Sequence, residues 1–266
     1  MKTLLAVISL GLLLVGCGKK EAGKPQTQPD VKAPSTSAPK EPTLQTKPTE
    51  PTEAEKKFAE TKAKAEAGEA WAQFNLGSRY ALGQEVAKNE KEAAKWLLMA
   101  AEQGDPIAQH TLGVMYENGQ GVVLNEKEAI KWFQMAAEQN HPQAQYTMGV
   151  FYENGKVVEQ NHAEAFNWYS KATAQGHTPS YLRLGWMYFL GQGVKKDERK
   201  AAKWFHIAAE SNYPLAQHTL GVMYENGKGV NKDRRKALKW YRMAADRGYV
   251  DAKSALNKLE KQQTKD

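Results

Sequence analysis

Histidine offers the widest range of chemistry in this chain, because its imidazole can bind a metal ion or transfer a proton near neutral pH. The six histidines are His110, His141, His162, His177, His206 and His218. His110 and His218 lie three repeat units apart, too far to share a metal ion. His141 and His177 occupy one recurring loop position that also holds Asp105, so loop structure is the simpler explanation. The sequence therefore predicts no metal site.

Patterns for nucleophilic or phosphate chemistry are also absent from the sequence. We find no nucleophile elbow, no phosphate-binding loop and no serine–lysine arrangement. The segments Gly119-Gln120-Gly121 and Gly191-Gln192-Gly193 lack the preceding strand that nucleotide binding requires, and their recurrence at equivalent places marks them as structural. We therefore expect a binding protein, not an enzyme, and no cofactor.

The only cysteine, Cys17, directly follows a short apolar run. The run from Leu4 to Val15 is too short to span a bilayer, and a positive start precedes it, as in a secretion signal. The end of the run, Leu14-Val15-Gly16-Cys17, resembles the bacterial lipobox. That resemblance implies a signal peptide over residues 1–16, a diacylglycerol and further acyl chains such as palmitate on Cys17, and stable membrane attachment. The alternative is an ordinary signal peptide with a chance cysteine.

The residues after Cys17 bear on the site of attachment. Gly18 follows, and by the sorting rule of Gram-negative lipoproteins a residue other than Asp favours the outer membrane, facing the periplasm. In a Gram-positive host the anchor would lie on the outer face of the only membrane. Residues 17–52 are rich in Pro, Thr, Lys and Glu and lack aromatic residues, a composition typical of a disordered linker.

The net charge of +7 is concentrated at one end of the chain. Residues 228–266 hold 12 basic and 5 acidic side chains, whereas residues 58–227 hold 16 basic and 19 acidic ones. The basic end could meet an acidic partner or anionic lipid, or it could simply be a solvated helix face. We expect no nucleic-acid binding, because the leader directs the chain to an exported compartment.

From residue 54 onward the sequence repeats every 36 residues without a register slip. A period of this length indicates a solenoid. The recurring positions are a first glycine (Gly77, Gly113, Gly149, Gly185, Gly221), a tyrosine (Tyr80, Tyr116, Tyr152, Tyr188, Tyr224), a second glycine (Gly83, Gly119, Gly155, Gly191, Gly227), an alanine (Ala93, Ala129, Ala165, Ala201, Ala237) and a tryptophan (Trp96, Trp132, Trp168, Trp204, Trp240).

Local signals within each repeat predict two helices. Prolines such as Pro106 suit the first turn of helix A, and a glycine such as Gly119 ends it. Helix B is expected to begin at an N-cap (Asn89, Asn125, Asn161, Asp197, Asp233), with a capping box in the first three repeats. It is expected to end at a residue that tolerates a left-handed conformation (Gly68, Gly104, Asn140, Gly176, Asn212, Gly248).

The repeat resembles the Sel1-like family, which is related to tetratricopeptide repeats. In the second repeat the family pattern is matched by Ala108, Leu112, Gly113, Tyr116, Gly119, Gly121, Val122, Ala129, Trp132, Ala136 and Ala137. The resemblance implies an all-α, right-handed α-solenoid of five helix-turn-helix repeats with capping half repeats. The expected parts are a capping helix at 53–68, repeats at 69–104, 105–140, 141–176, 177–212 and 213–248, and a capping helix with tail at 249–266. A monomer is expected.

The resemblance also implies that helix A lines a concave binding face. The exposed positions expected there include His110 and Glu117, Tyr146, and His218 and Glu225, while the fourth repeat breaks the pattern with Leu182, Trp186, Phe189 and Leu190. Because aromatic anchors dominate interfaces, we predict that a protein segment docks on Trp186 and Phe189, flanked by Tyr146 and His218. The alternative is that Trp186 packs between helices and stabilises the stack.

The leading functional prediction is a membrane-anchored protein–protein interaction scaffold or adaptor in the cell envelope. Two alternatives stay open at this point. One is an immunity protein or inhibitor that neutralises a periplasmic toxic effector, and the other is a peptidoglycan or glycan binder. The sequence does not identify the partner, and it does not show whether the basic C-terminal end is functional.

Overall fold

The computed structural model describes residues 52–263, which form an all-α solenoid, as the repeat pattern predicts. The predicted signal peptide, the lipidation site Cys17 and nearly all of the linker lie outside the described residues. The helices are α1 (Glu53–Glu66), α2 (Ala70–Leu82), α3 (Glu90–Glu102), α4 (Pro106–Asn118), α5 (Glu126–Glu138), α6 (Pro142–Asn154), α7 (His162–Ala174), α8 (Thr178–Leu190), α9 (Glu198–Glu210), α10 (Pro214–Asn226), α11 (Arg234–Asp246) and α12 (Val250–Gln263).

The helices alternate between two types, and each helix from α2 onward packs mainly on its neighbours in the chain. The A helices are α2, α4, α6, α8 and α10, and the B helices are α3, α5, α7, α9 and α11. Among residues 52–263 no helix is long and apolar enough to cross a bilayer.

Capping residues fix where the B helices begin. The predicted N-cap Asn125 accepts hydrogen bonds at Oδ1 from the amides of Lys127 and Glu128, and the other four N-caps do the same with one or two amides. Its own amide donates to the carbonyl of Tyr116 over 2.9 Å, so the reciprocal half of the predicted capping box is not formed in the described chain. The backbone carbonyl of the recurring tyrosine therefore joins the end of each A helix to the start of the following B helix.

Each A helix crosses its B helix at the first glycine. A Cβ added to Gly113 would lie 2.7 Å from Cε1 of Phe133, a ring with no solvent exposure. The equivalent contacts in the other repeats involve Leu97, Tyr169, Phe205 and Tyr241. Phe133 directly follows the recurring tryptophan of its repeat. It is more deeply buried than that tryptophan, since Trp132 remains 7% exposed. The close approach explains why the glycine recurs.

A ladder of buried glutamines joins the repeats. Gln109, which is 1% exposed, donates from Nε2 to the carbonyl of Ala101 at the end of the preceding repeat, over 3.0 Å. Its Oε1 accepts from Gln139 of its own repeat over 2.8 Å. Gln73 and Gln145 make the same two bonds. Each glutamine thus adds a side-chain donor to a helix-end carbonyl that also accepts a backbone amide, as Ala101 accepts from Gly104 over 3.0 Å.

The ladder changes in the last two repeats. In the fourth repeat Tyr181 replaces the glutamine and donates from its hydroxyl to the carbonyl of Thr173 over 3.0 Å. In the fifth, Gln217 still donates to Ala209, but its buried Oε1 has no donor in the described chain. The residue that should supply the donor is Arg247, whose guanidinium bonds Asn212 instead.

Candidate partner-binding surface

The A helix of the fourth repeat, α8, differs from the other A helices along its exposed side. Trp186 stands where the second and third repeats carry Val114 and Val150, and it is half-buried. Its ring meets Phe205 edge-on at a centroid distance of 5.0 Å and Phe189 at 5.8 Å. The tryptophan therefore packs into the stack and still presents part of its surface. Both roles that the sequence left open for Trp186 are compatible with this geometry.

Leu190 extends the apolar surface of α8 by one helical turn. It is 39% exposed and replaces the asparagine found at this position in the second, third and fifth repeats. At the same position in the first repeat, Leu82 is 67% exposed. Two A helices of the solenoid therefore end in an exposed leucine, but only in α8 does a partly exposed tryptophan lie one turn away.

Three of the predicted contact residues are not accessible. Phe189 is 8% exposed, Leu182 7% and His218 4%, so the prediction that they face solvent is wrong. His218 lies between two rings, with centroids 5.5 Å from Tyr241 of its own repeat and 5.2 Å from Tyr249, which directly precedes α12. Phe189 packs against Trp186 and beneath the Lys196 ammonium group. These three side chains fill the space between elements instead of lining an open face.

The remaining predicted positions fall into two groups. His110 and Tyr146 are half-buried and occupy the place of His218 in their own repeats. Glu117 is exposed, whereas Glu225 is half-buried and accepts a 2.6 Å hydrogen bond from the Tyr241 hydroxyl. Partial burial raises the pKa of the Glu117 carboxyl, and the residue of its repeat that corresponds to Tyr241 is Phe133, which has no hydroxyl to donate. Their role in partner binding stays a prediction.

A buried polar network crosses from the third repeat to the fourth, and the sequence analysis missed it. Arg183 Nη1 lies 3.5 Å from Glu153 Oε2, with side-chain exposures of 12% and 14%. The same carboxylate accepts a 2.5 Å hydrogen bond from the Tyr169 hydroxyl, and Arg183 Nε donates to the Tyr146 hydroxyl over 3.4 Å. The signal in the sequence is that Arg183 replaces threonine at its position in three repeats and asparagine in the first.

The electrostatics of this network keep the ion pair intact over the physiological range. Burial acts to lower the pKa of Arg183, but Tyr169 and Glu153 outweigh it and raise that pKa above its ordinary value. Burial, and then Glu153, raise the pKa of Tyr169. A buried pair of this kind specifies one arrangement of its neighbours more than it adds stability. It fixes the position of α8 relative to α6.

Four of the six histidines, His110, His141, His177 and His218, lie along the seams where neighbouring A helices meet, whereas His162 and His206 are on B helices. His110 stacks on His141 with centroids 5.1 Å apart, and Nδ1 of His141 accepts a hydrogen bond from the amide of Ala144. In the next seam, His177 contacts Ser180 through Nδ1 and Gln143 through Nε2. No group of three metal-binding side chains occurs in the described part of the chain.

Burial lowers the pKa of each of these seam histidines. That of His110 falls to about 4 through burial and the neighbouring His141. Burial also lowers the pKa of His177 and that of His141, although the Asp105 carboxylate acts to raise the pKa of His141. The seams are therefore built from neutral imidazoles.

Comparison with known proteins identifies the repeat. A family profile described as Sel1 repeat matches residues 72–105, 106–141, 142–177, 178–213 and 214–249. None of the curated proteins compared with the chain matches it.

Solved structures show the same architecture. A Sel1 repeat protein from Oxalobacter formigenes is 35% identical over 75% of this chain and 84% of its own, with a TM-score of 0.68. A protective antigen of uropathogenic Escherichia coli strains, which displays an SLR fold, is 32% identical over 76% of this chain and 59% of its own, with a TM-score of 0.50. An immunity protein from Pseudomonas aeruginosa is 24% identical over 69% of this chain and 67% of its own, with a TM-score of 0.45. From the five consecutive matched repeats and the Oxalobacter formigenes structure, the chain belongs to the Sel1 repeat family.

Proposed function

We propose that this protein is a membrane-anchored interaction scaffold of the bacterial cell envelope, which binds a protein segment along its A helices at the fourth repeat. Sel1 repeats are generally non-catalytic modules that bind protein partners, and the match covers most of the described chain. The anchor in this proposal is a lipid on Cys17, supported by the lipobox-like residues that end the leader. The proposal places the solenoid on the periplasmic side of the outer membrane.

The observation that carries the binding proposal is the apolar surface of α8. Trp186 and Leu190 lie one turn apart on one side of this helix, where the second, third and fifth repeats present valine and asparagine. One turn before Trp186, Arg183 pairs with Glu153 of α6 and links the two A helices. An exposed apolar contact on a rigid support is the arrangement that binding hot spots require.

The test replaces Trp186 and Leu190 by the residues that stand at these positions in other repeats. The double variant Trp186→Val/Leu190→Asn adopts the residues of the third repeat at both positions, so it should fold. Leu82→Asn removes an exposed leucine at the equivalent position of the first repeat and serves as the matched control. Full-length chains would be crosslinked in intact cells, crosslinked partners identified by mass spectrometry, and the purified partner titrated against each variant.

We expect the partner's affinity to fall by about tenfold or more in the α8 double variant and to change little in Leu82→Asn. Equal affinity for both variants and the unchanged chain would refute the α8 site. A single tight partner with toxic activity would instead favour an inhibitor of the immunity type. Sedimentation with purified sacculi, together with no protein partner, would favour a glycan binder.

A further inference from the structure

The B helix of the fifth repeat, α11, carries a basic groove with an apolar base. Six side chains line a groove of about 370 Å³, namely Arg235, Leu238, Lys239, Arg242, Met243 and Asp246. Their spacing places all of them along one face of α11, from its first turn to its last. Leu238 and Met243 are half-buried, and the cations that flank them are exposed. The groove lies on a B helix and is therefore distinct from the α8 surface.

The cations of α11 lack the flanking glutamates of other repeats. The first turns of α3 and α5 carry two glutamates each, whereas the first turn of α11 has no acidic residue and holds Arg234, Arg235 and Lys236. Cations also stand at the positions of Arg235 and Lys239 in the first, second and fourth repeats, namely Lys91 and Lys95, Lys127 and Lys131, and Arg199 and Lys203. Arg242 replaces Leu98 and Gln134 of the first two repeats. The excess of positive charge on α11 therefore comes from the missing glutamates and from Arg234 and Arg242.

These cations do not serve helix stability. Positive charges in the first turn oppose the helix dipole, whereas glutamates there favour it. Arg234 is used structurally, since its guanidinium bonds the carbonyl of Leu259 in α12. Arg235 has no carboxylate partner in the described chain, and Lys239 contacts only the face of Trp240, at 5.9 Å. Arg235 thus opposes the helix dipole without a compensating ion pair in the described chain, which is typical of a functional surface.

We infer that this α11 groove binds an acidic, amphipathic segment of a partner protein, with an apolar side chain seated between Leu238 and Met243. Charge complementarity selects acidic residues on both sides of the apolar contact. The groove is about as long as α11 itself, on the order of 20 Å, which suits three turns of a partner helix.

An anionic membrane surface fits the groove less well. Asp246 lines one end of it, and Glu260 pairs with Arg242 over 2.7 Å at its edge. A lipid surface would bring negative charge against both carboxylates, whereas a peptide can place a neutral or basic residue there. Leu238 and Met243 are half-buried while the flanking cations are exposed, so a protruding side chain reaches the apolar residues more readily than a flat surface does.

The test uses a fluorescent synthetic peptide of about 18 residues, with leucines at helical spacing and glutamates elsewhere, and a matched peptide with lysines for the glutamates. Anisotropy titrations would compare the full-length chain, the variant Arg235→Glu/Lys239→Glu, and the control Lys127→Glu/Lys131→Glu. The control makes the same charge change at the equivalent positions of α5. Vesicles containing phosphatidylglycerol form the lipid arm, and circular dichroism checks that each variant is folded.

The expected result is binding of the acidic peptide alone, weakened by salt, roughly tenfold weaker in the α11 variant and within about twofold of normal in the α5 control. Equal weakening in both variants would mean that net charge alone attracts the peptide, and the inference would be wrong. Vesicle binding that depends on α11, without peptide binding, would assign the groove to lipid and overturn it. The α8 variant Trp186→Val/Leu190→Asn should bind the peptide normally, which separates this groove from the proposed partner site.

Discussion

The interrupted glutamine ladder makes a quantitative prediction about the fifth repeat. Replacing Arg247 by glutamine restores the residue found at this position in the first three repeats, Gln103, Gln139 and Gln175. The new amide would lie where Gln139 donates to Gln109 over 2.8 Å. It would therefore give the buried Oε1 of Gln217 the donor that it lacks.

The magnitude follows from two opposing contributions. A neutral hydrogen bond to a buried acceptor contributes about 1 kcal/mol, and an acceptor left without a donor costs about 1–3 kcal/mol. The substitution also removes the exposed hydrogen bond from Arg247 to Asn212, which contributes about 0.5 kcal/mol. Arg247→Gln should stabilise the protein by about 1 kcal/mol, which raises Tm by about 2–4 °C.

The assay is thermal unfolding together with amide hydrogen exchange, since terminal repeats of an array open locally. Arg247→Ala supplies the control, because it removes the arginine without adding a donor and should give no gain. The reciprocal change, Gln139→Arg, should destabilise the second repeat by a similar amount. Stabilisation by Arg247→Ala equal to that by Arg247→Gln would show that the arginine itself is unfavourable and that the ladder is irrelevant.

Two further predictions concern the seams and the helix crossings. Because the pKa of His110 in the folded chain is about 4 and that of a free histidine 6.5, the unfolded chain binds more protons, and stability falls as pH drops between these values, by at most about 3 kcal/mol for this residue. His110→Phe, which copies Phe74, should reduce the pH dependence of the urea midpoint, and an unchanged dependence would contradict the burial argument. Gly113→Ala should lower the urea midpoint, since crowding against Phe133 costs about 1–3 kcal/mol and outweighs the gain of about 1 kcal/mol in helix propensity. A raised midpoint would show that the two helices can separate cheaply.

Much of the fold could be predicted from the sequence, because its determinants act locally. Asn125 caps a helix and Gly119 ends one, each through bonds within a few residues, and a fixed period repeats those signals five times. The family was recognisable for the same reason. The deeper core position at Phe133 was missed because the tryptophan beside it is the more regular residue.

The candidate site was harder to predict, because exposure depends on elements that are distant in sequence. His218 packs against Tyr249, which lies just before α12, and no pattern within its own repeat reveals this. Arg183 is the opposite case, since its departure from the threonine at that position was visible in the sequence. Its pairing with Glu153 depends on how two A helices lie side by side, which spacing along the chain does not give.

The choice of hydrogen-bond partners in the glutamine ladder affects how easily whole repeats can be gained or lost. Gln109 takes its side-chain partner, Gln139, from its own repeat, while its bond to the preceding repeat uses only a backbone carbonyl. A duplicated or deleted 36-residue unit therefore keeps its own partners and docks on any neighbour, which makes repeat number easy to vary by recombination. The junction between the third and fourth repeats depends in addition on a buried ion pair, Arg183 and Glu153, and both side chains must be inherited together. Gain and loss of whole units should therefore be tolerated less well at this junction.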